Sequence, residues 1–255
     1  MDQLTHRLDR NVAIQAAPET VFRFFTDSDR WARWWGAGST IDARPGGRVL
    51  VRYPNGVEAS GEVVELTPPA RIVFTYGYAS GKPIPPGSSR VTIGLEAEGA
   101  GTRLRLVHEF GDPSVRDQHV QGWRFQLSVF GNLVADEVFA GAPDVVDAWF
   151  AAWTETDNRA RAEAFTRIAA DRIRFRDRYS NLEGAGELAD HSGAGQKFMP
   201  GVRLHRQGAV RHCQGTVLAD WSAVGSDGQE RMSGTSVFEL YPDGRIASVT
   251  SLARS

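Results

Sequence analysis

The sequence predicts an α+β chain of two successive domains, and three observations carry that prediction. Between Ser39 and Phe110, apolar residues recur at every second position in runs such as "GRVLVRY", "RIVFTYGY" and "TRLRLVHEF". Pro-Gly-Gly, Asn-Gly, Pro-Pro and Gly-Ala-Gly punctuate these runs, which is the pattern of an antiparallel meander. The period then changes: Val120, Trp123, Leu127, Phe130 and Val134 are spaced three or four apart, on one face of a long helix. After the small-residue break "FAGAPD", Phe139 to Asp144, helices and then strands begin again. The expected domains are residues 1–138 and 143–255.

The first residues, "MDQLTHRLDRNVAIQ", alternate polar and apolar and read as a strand. In "AAPETVFRFFTD" Pro18 suits the first helical position, Glu19 the positive first turn, and Val21, Phe22 and Phe25 fall at helical spacing. A short helix, "DRWARWWG", follows. Strand, helices, meander and long helix are the plan of a helix-grip fold, in which a curved sheet wraps the last helix and leaves a cavity. In the second half Val145, Trp149 and Trp153 form a helical stripe, and Asp157 caps "NRARAEAFTRIAA", whose inward residues are expected at Ala160, Ala164, Phe165 and Ile168. Five strand-like stretches follow, from "RIRFRDRY" to "RIASVTSL", with an Asp-Gly hairpin turn in "YPDGRI". Helices first and a bent antiparallel sheet afterwards describe a cone-shaped α+β domain.

Composition excludes several function classes. The chain has 255 residues, 41% of them hydrophobic, enough to give each domain a core. Its 29 basic and 31 acidic residues nearly cancel, which argues against a nucleic-acid partner, since phosphate binding needs a concentrated basic surface. The N-terminal residues lack the apolar run of a signal peptide, and no window approaches the ~18 to 20 apolar residues of a membrane span. A cytoplasmic location and no membrane partner are therefore expected. The single cysteine, Cys213, excludes an internal disulfide and a cysteine-rich metal site, and His205 and His212 lack zinc-site spacing. No metal and no cofactor are expected.

The motifs "APETVFRFFTD", "WARWWG", "PGGRV", "GEVVELTPPARIVFTY", "GAGTRLRLVHEFG" and "HVQGW" make residues 8 to 136 resemble the activator of Hsp90 ATPase family, within the START-like (SRPBCC) superfamily. That resemblance implies a helix-grip cavity for hydrophobic small molecules. It does not imply co-chaperone activity. Residues 143 to 253, with "RFRDRYSNLEGAGELADH", "FMPGVRLHRQG", "LADWSAVGSDG" and "GTSVFELYPDGRIASV", resemble the SnoaL-like branch of the NTF2-like superfamily. Its members include polyketide cyclases, isomerases, hydrolases and non-catalytic binders, and their cones commonly pair, so a homodimer is expected. Three functions follow: binding of a hydrophobic, aromatic or polyketide-like molecule without turnover, as in sequestration or self-resistance; a cofactor-free acid/base enzyme; or a chaperone-associated module.

Candidate site residues fall in both halves. On a helix Trp31, Trp34 and Trp35 share one side, as core or as the wall of a pocket; the pattern leaves both open. Alternation puts His108 on the face of Leu104 and Leu106, and His119 and Trp123 are i and i+4 on the long helix around Gly122, which would let another backbone approach. In the second half Trp149, Trp153 and Trp221 are candidate ligand contacts. Asp177 and Tyr179 share a strand face with Phe175, whereas Asp220 and Trp221 are adjacent and cannot both face inward. The SnoaL-like resemblance implies a carboxylate base, Asp177 or Asp220, with His191, His205 or Tyr179 polarising a carbonyl.

Overall fold

The computed structural model describes residues 4–254, which fall into two compact units, one ending at Ala135 and the other starting at Asp136. Both combine helices with a large, mostly antiparallel sheet.

In the first unit, strand β1 (His6–Ile14) leads to helices α1 (Pro18–Arg23) and α2 (Ser28–Trp35). The meander consists of β2 (Thr40–Ile41), β3 (Arg48–Arg52), β4 (Glu58–Thr67), β5 (Arg71–Tyr76), β6 (Ser89–Glu98) and β7 (Gly101–Phe110), and helix α3 (Pro113–Val138) follows. Sheet order is β1-β7-β6-β5-β4-β3-β2, every pair antiparallel. Short hairpins account for that order, and the first strand closes the sheet beside the last. Alternation along β7 buries Thr102, Leu104, Leu106, His108 and Phe110 on one face. Asp27 caps α2, its Oδ1 accepting the Arg30 N–H at 2.9 Å, and the helix ends at Gly36. Gly36 has φ +139°, and a Cβ there would collide with the Arg52 carbonyl, so only glycine lets the chain turn this close to β3. Phe130 of α3 stacks on Phe25 at 4.9 Å between centroids, binding α3 to the segment after α1.

The second unit begins with α4 (Ala142–Thr154) and α5 (Asn158–Ile168), then β8 (Ala169–Arg176), β9 (Asn181–Glu183), α6 (Ala185–Phe198), β10 (Arg203–Cys213), β11 (Thr216–Val224), β12 (Glu230–Leu240) and β13 (Ile246–Ala253). Helix α4 takes in Ala142 to Asp144, so the interhelix break is shorter than the stretch "FAGAPD". Sheet order is β10-β11-β12-β13-β8-β9. One pair departs from the antiparallel expectation: β8 lies parallel to β13. These strands are joined through α6 and four further strands, so no hairpin dictates their direction.

A buried arginine organises the helices of this unit. Arg161, rather than Ala160, turns inward on α5, and its Nε and Nη1 donate to the Ala189 and Glu155 carbonyls at 2.9 and 2.8 Å. Its Nη2 donates to Asn158 Oδ1 at 2.5 Å. Every nitrogen of the guanidinium thus has an acceptor, and α6 is held against α5 in the position that sets His191.

Candidate functional sites

The first unit contains a cavity of about 430 Å³ whose walls include Trp34, Trp35, Tyr53, Tyr76, His119 and Trp123. Three rings form an aromatic cage, with Trp35 edge-on to Trp123 at 5.5 Å and to Tyr53 at 5.9 Å. The tryptophan cluster divides by the fate of its indole N–H groups. Trp31 is fully buried, donates to the Leu50 carbonyl at 3.1 Å and does not line the cavity. Trp34 donates to the Phe24 carbonyl at 3.2 Å and presents only its ring. Trp35 has no hydrogen-bond partner for its N–H within the protein.

Hydrogen bonds fix the protonation state of the polar wall. The Tyr53 and Tyr76 hydroxyls lie 2.7 Å apart. His119 Nδ1 is 2.7 Å from the Val115 carbonyl, which can only accept, so Nδ1 carries the proton and Nε2 accepts from the Tyr78 hydroxyl at 3.2 Å. Behind the wall, Trp123 Nε1 donates to His108 Nδ1 at 2.9 Å. His108 Nε2 is therefore protonated and donates to Ser89 Oγ at 2.8 Å, and that hydroxyl donates to the Tyr76 carbonyl at 2.8 Å. His108 does not touch the cavity; it holds Trp123 in place. Burial pushes His108 well below its ordinary range, assisted by the nearby His119, and burial also lowers His119. Burial raises the Tyr53 and Tyr76 hydroxyls, so both remain protonated. Gly122 admits no second backbone: nothing lies within 4 Å of where its Cβ would stand, and the glycine lies exposed in the cavity lining.

A pH dependence follows. A histidine kept neutral in the fold binds its proton in the unfolded chain as pH falls through 6.5, so its stabilisation is present above that value and is lost below it. Urea melts of the full chain are expected to show the first unit weakening from pH 7.5 to pH 5, with a slope approaching about 1.4 kcal/mol per pH unit for each such histidine. His108→Gln, which can still accept from Trp123, should flatten that slope. An unchanged slope in the variant contradicts the assignment.

The second unit holds a cavity of about 420 Å³ bounded by Trp149, Trp153, Phe175, His191, Leu204 and Trp221. Phe175 lies 5.8 Å from Trp149 and 5.2 Å from Trp153, giving one continuous aromatic wall. The indole N–H groups of Trp153 and Trp221 are buried without partners in the protein. His191, on α6, shares a hydrogen bond of 3.0 Å with Ser180 and meets the Trp153 ring edge-on at 5.9 Å. Asp177 and Tyr179 do reach the cavity rim, but not from a strand. Strand β8 stops at Arg176 because the Asp177 carboxylate accepts the Tyr179 N–H at 2.8 Å, closing a turn that leaves Tyr179 80% exposed.

Two candidates lie outside this cavity. Alternation turns Trp221 inward and Asp220 to the opposite face, where Asp220 accepts from Thr235 at 2.5 Å and pairs with Arg254 at 3.3 Å and Arg211 at 3.5 Å. The Thr235 hydrogen bond, with Arg211 and Arg254, holds its carboxyl below the usual range, which makes it a poor base. His205 stands exposed on the edge strand β10, while its neighbour Leu204 faces the cavity. Tyr53, Tyr76 and Tyr78 were not singled out by the sequence, although "TYGY" places the last two on one strand face at i and i+2. Among the described residues, no group of three or more His, Cys, Asp or Glu could hold a metal ion. Nor is any helix among them long and apolar enough to cross a membrane.

Residues 15–135 match the family described as activator of Hsp90 ATPase homolog 1-like protein. No curated protein matches the chain. Among solved structures, a SnoaL-like family protein from Agrobacterium tumefaciens is 26% identical, with 44% of this chain and 96% of that one covered and a TM-score of 0.43. CalU16 from Micromonospora echinospora is 27% identical over 54% of this chain and 82% of its own, with a TM-score of 0.43. The Aha1 dimer from Colwellia psychrerythraea is 16% identical over 51% and 96%, with a TM-score of 0.45.

Proposed function

We propose that this chain binds apolar aromatic small molecules in internal cavities and sequesters them without turnover, the first unit as a START-like chamber and the second as a SnoaL-like cone. One observation carries this reading: Trp149, Trp153, Phe175 and Trp221 bring their rings to a single cavity of about 420 Å³ in the second unit, the size and character of a site for an apolar aromatic molecule. Titration of the full chain with 1-aminoanthracene tests the reading. Saturable quenching of tryptophan fluorescence is expected, and Trp221→Ala should weaken binding about tenfold or more, the cost of one buried aromatic contact. A linear, unsaturable response would sink the proposal.

A second reading, acid/base catalysis, is favoured by Asp177 and His191 bordering the same cavity. On that reading Asp177 takes a proton alpha to a carbonyl while His191 polarises the oxygen. Asp177→Asn should then reduce turnover by about 100-fold or more with ligand affinity unchanged. Equal rates in wild type and variant would remove Asp177 from the chemistry.

A further inference from the structure

The first cavity is more specific than an apolar pocket. Its one histidine, His119, has no hydrogen-bonding capacity to spare, being engaged by Val115 and Tyr78, and His108 behind the wall is engaged by Trp123 and Ser89. The Tyr53 and Tyr76 hydroxyls differ. They share one hydrogen bond at 2.7 Å, and Tyr76 also interacts with the Tyr78 hydroxyl, but the protons and lone pairs of two hydroxyls outnumber these contacts, so the pair keeps hydrogen-bonding capacity. The same cavity is lined by the rings of Trp34, Trp35 and Trp123, and Arg33 is the one charged residue among the lining residues. A charged ligand would lose its hydration among these rings without a matching counter-charge for an anion beyond Arg33, or any for a cation. The volume of about 430 Å³ falls within the range of small-molecule sites.

Building on the binding reading above, we infer that the first cavity selects an uncharged, planar aromatic molecule bearing a hydrogen-bonding oxygen, seated with that oxygen on the Tyr53–Tyr76 hydroxyl pair. The rings stack or abut the ligand plane; the hydroxyl pair fixes which edge faces inward. A pure hydrocarbon of the same shape would cover the pair and leave its spare capacity unmet, which a site built for hydrogen bonding penalises. The oxygen can be a carbonyl, which takes a proton from the pair, or a hydroxyl, which can also give one.

Calorimetric titration of the full chain with fluorene, 9-fluorenone and 9-hydroxyfluorene tests this, because the three share one tricyclic skeleton. At least one oxygenated probe should bind about tenfold tighter than fluorene. Tighter fluorenone identifies the carbonyl as the preferred oxygen, and tighter hydroxyfluorene the hydroxyl. In Tyr53→Phe/Tyr76→Phe the preference should fall below about threefold while fluorene binding persists. Gly122→Leu provides a second check that leaves the hydroxyls in place: a leucine at this exposed position of the lining would obstruct access to the cavity, so the oxygen preference should vanish with the site. Equal affinity for all three probes in wild type, or a preference that survives either variant, overturns the inference while leaving the binding reading intact. Binding of none of the three removes both.

Discussion

Trp31→Ala is expected to destabilise the first unit by about 3–5 kcal/mol, the range for deleting a buried tryptophan side chain. Trp31 is fully buried, meets Trp34 at 5.1 Å and Phe74 at 5.8 Å, and ties α2 to β3 through the Leu50 carbonyl. Deletion therefore opens a void between a helix and the sheet and leaves a strand carbonyl without its donor. Equilibrium urea unfolding of the full chain gives the loss directly. Trp35→Phe should behave differently, because it keeps a ring in the wall and, with part of the indole's packing surface, removes an N–H that has no partner in the protein. Its stability should stay within about 1 kcal/mol of wild type or rise. Comparable large losses in both variants would contradict the division of the cluster into core and cavity wall.

Gly234→Ala should damage the second unit by about 3 kcal/mol and empty its cavity of affinity together. Gly234 lies opposite Trp221 across the β11–β12 pair. A Cβ there would stand 2.6 Å from Trp221 Cζ2 and would also collide with the Leu252 carbonyl, so either the indole or the β13 backbone must move. The glycine thus makes room for one cavity wall at the cost of a residue poorly suited to a strand interior. Thermal unfolding and 1-aminoanthracene titration of the same variant measure the two effects. Wild-type values in both would show that Trp221 does not depend on this contact.

The main elements were legible because burial imposes periodicity. Alternation in "RLRLVHEF" fixes the buried face of β7 down to His108, and spacing from Val120 to Val134 reveals the apolar stripe of α3. The direction of β8 was not legible, since parallel pairing with β13 depends on the path of a long connection rather than on either strand's residues. The site was harder to read for a related reason. Trp31, Trp34 and Trp35 have the same side chain and the same helix, and only the tertiary structure, which buries Trp31 against β3 and brings the rings of Trp34 and Trp35 to the cavity, separates core from wall. Asp220 against Trp221 was half-legible: alternation says one must face out, but not which. Asp177 carried a turn signal in "RDRYSN", and its carboxylate uses it to end the strand. Tyr76 and Tyr78 share a face with no charge or motif to mark them, and their significance arises only when His119 arrives from α3.

The central claim, that the chain encloses apolar aromatic molecules, is tested most directly by native mass spectrometry of the full chain equilibrated with 9-fluorenone. The account predicts a mass increase of one or two fluorenone molecules on the 27.9 kDa chain, with the increase reduced by one ligand in Gly122→Leu. A bare chain mass at every ligand concentration, or an increase that climbs without limit and is indifferent to Gly122→Leu, would contradict it.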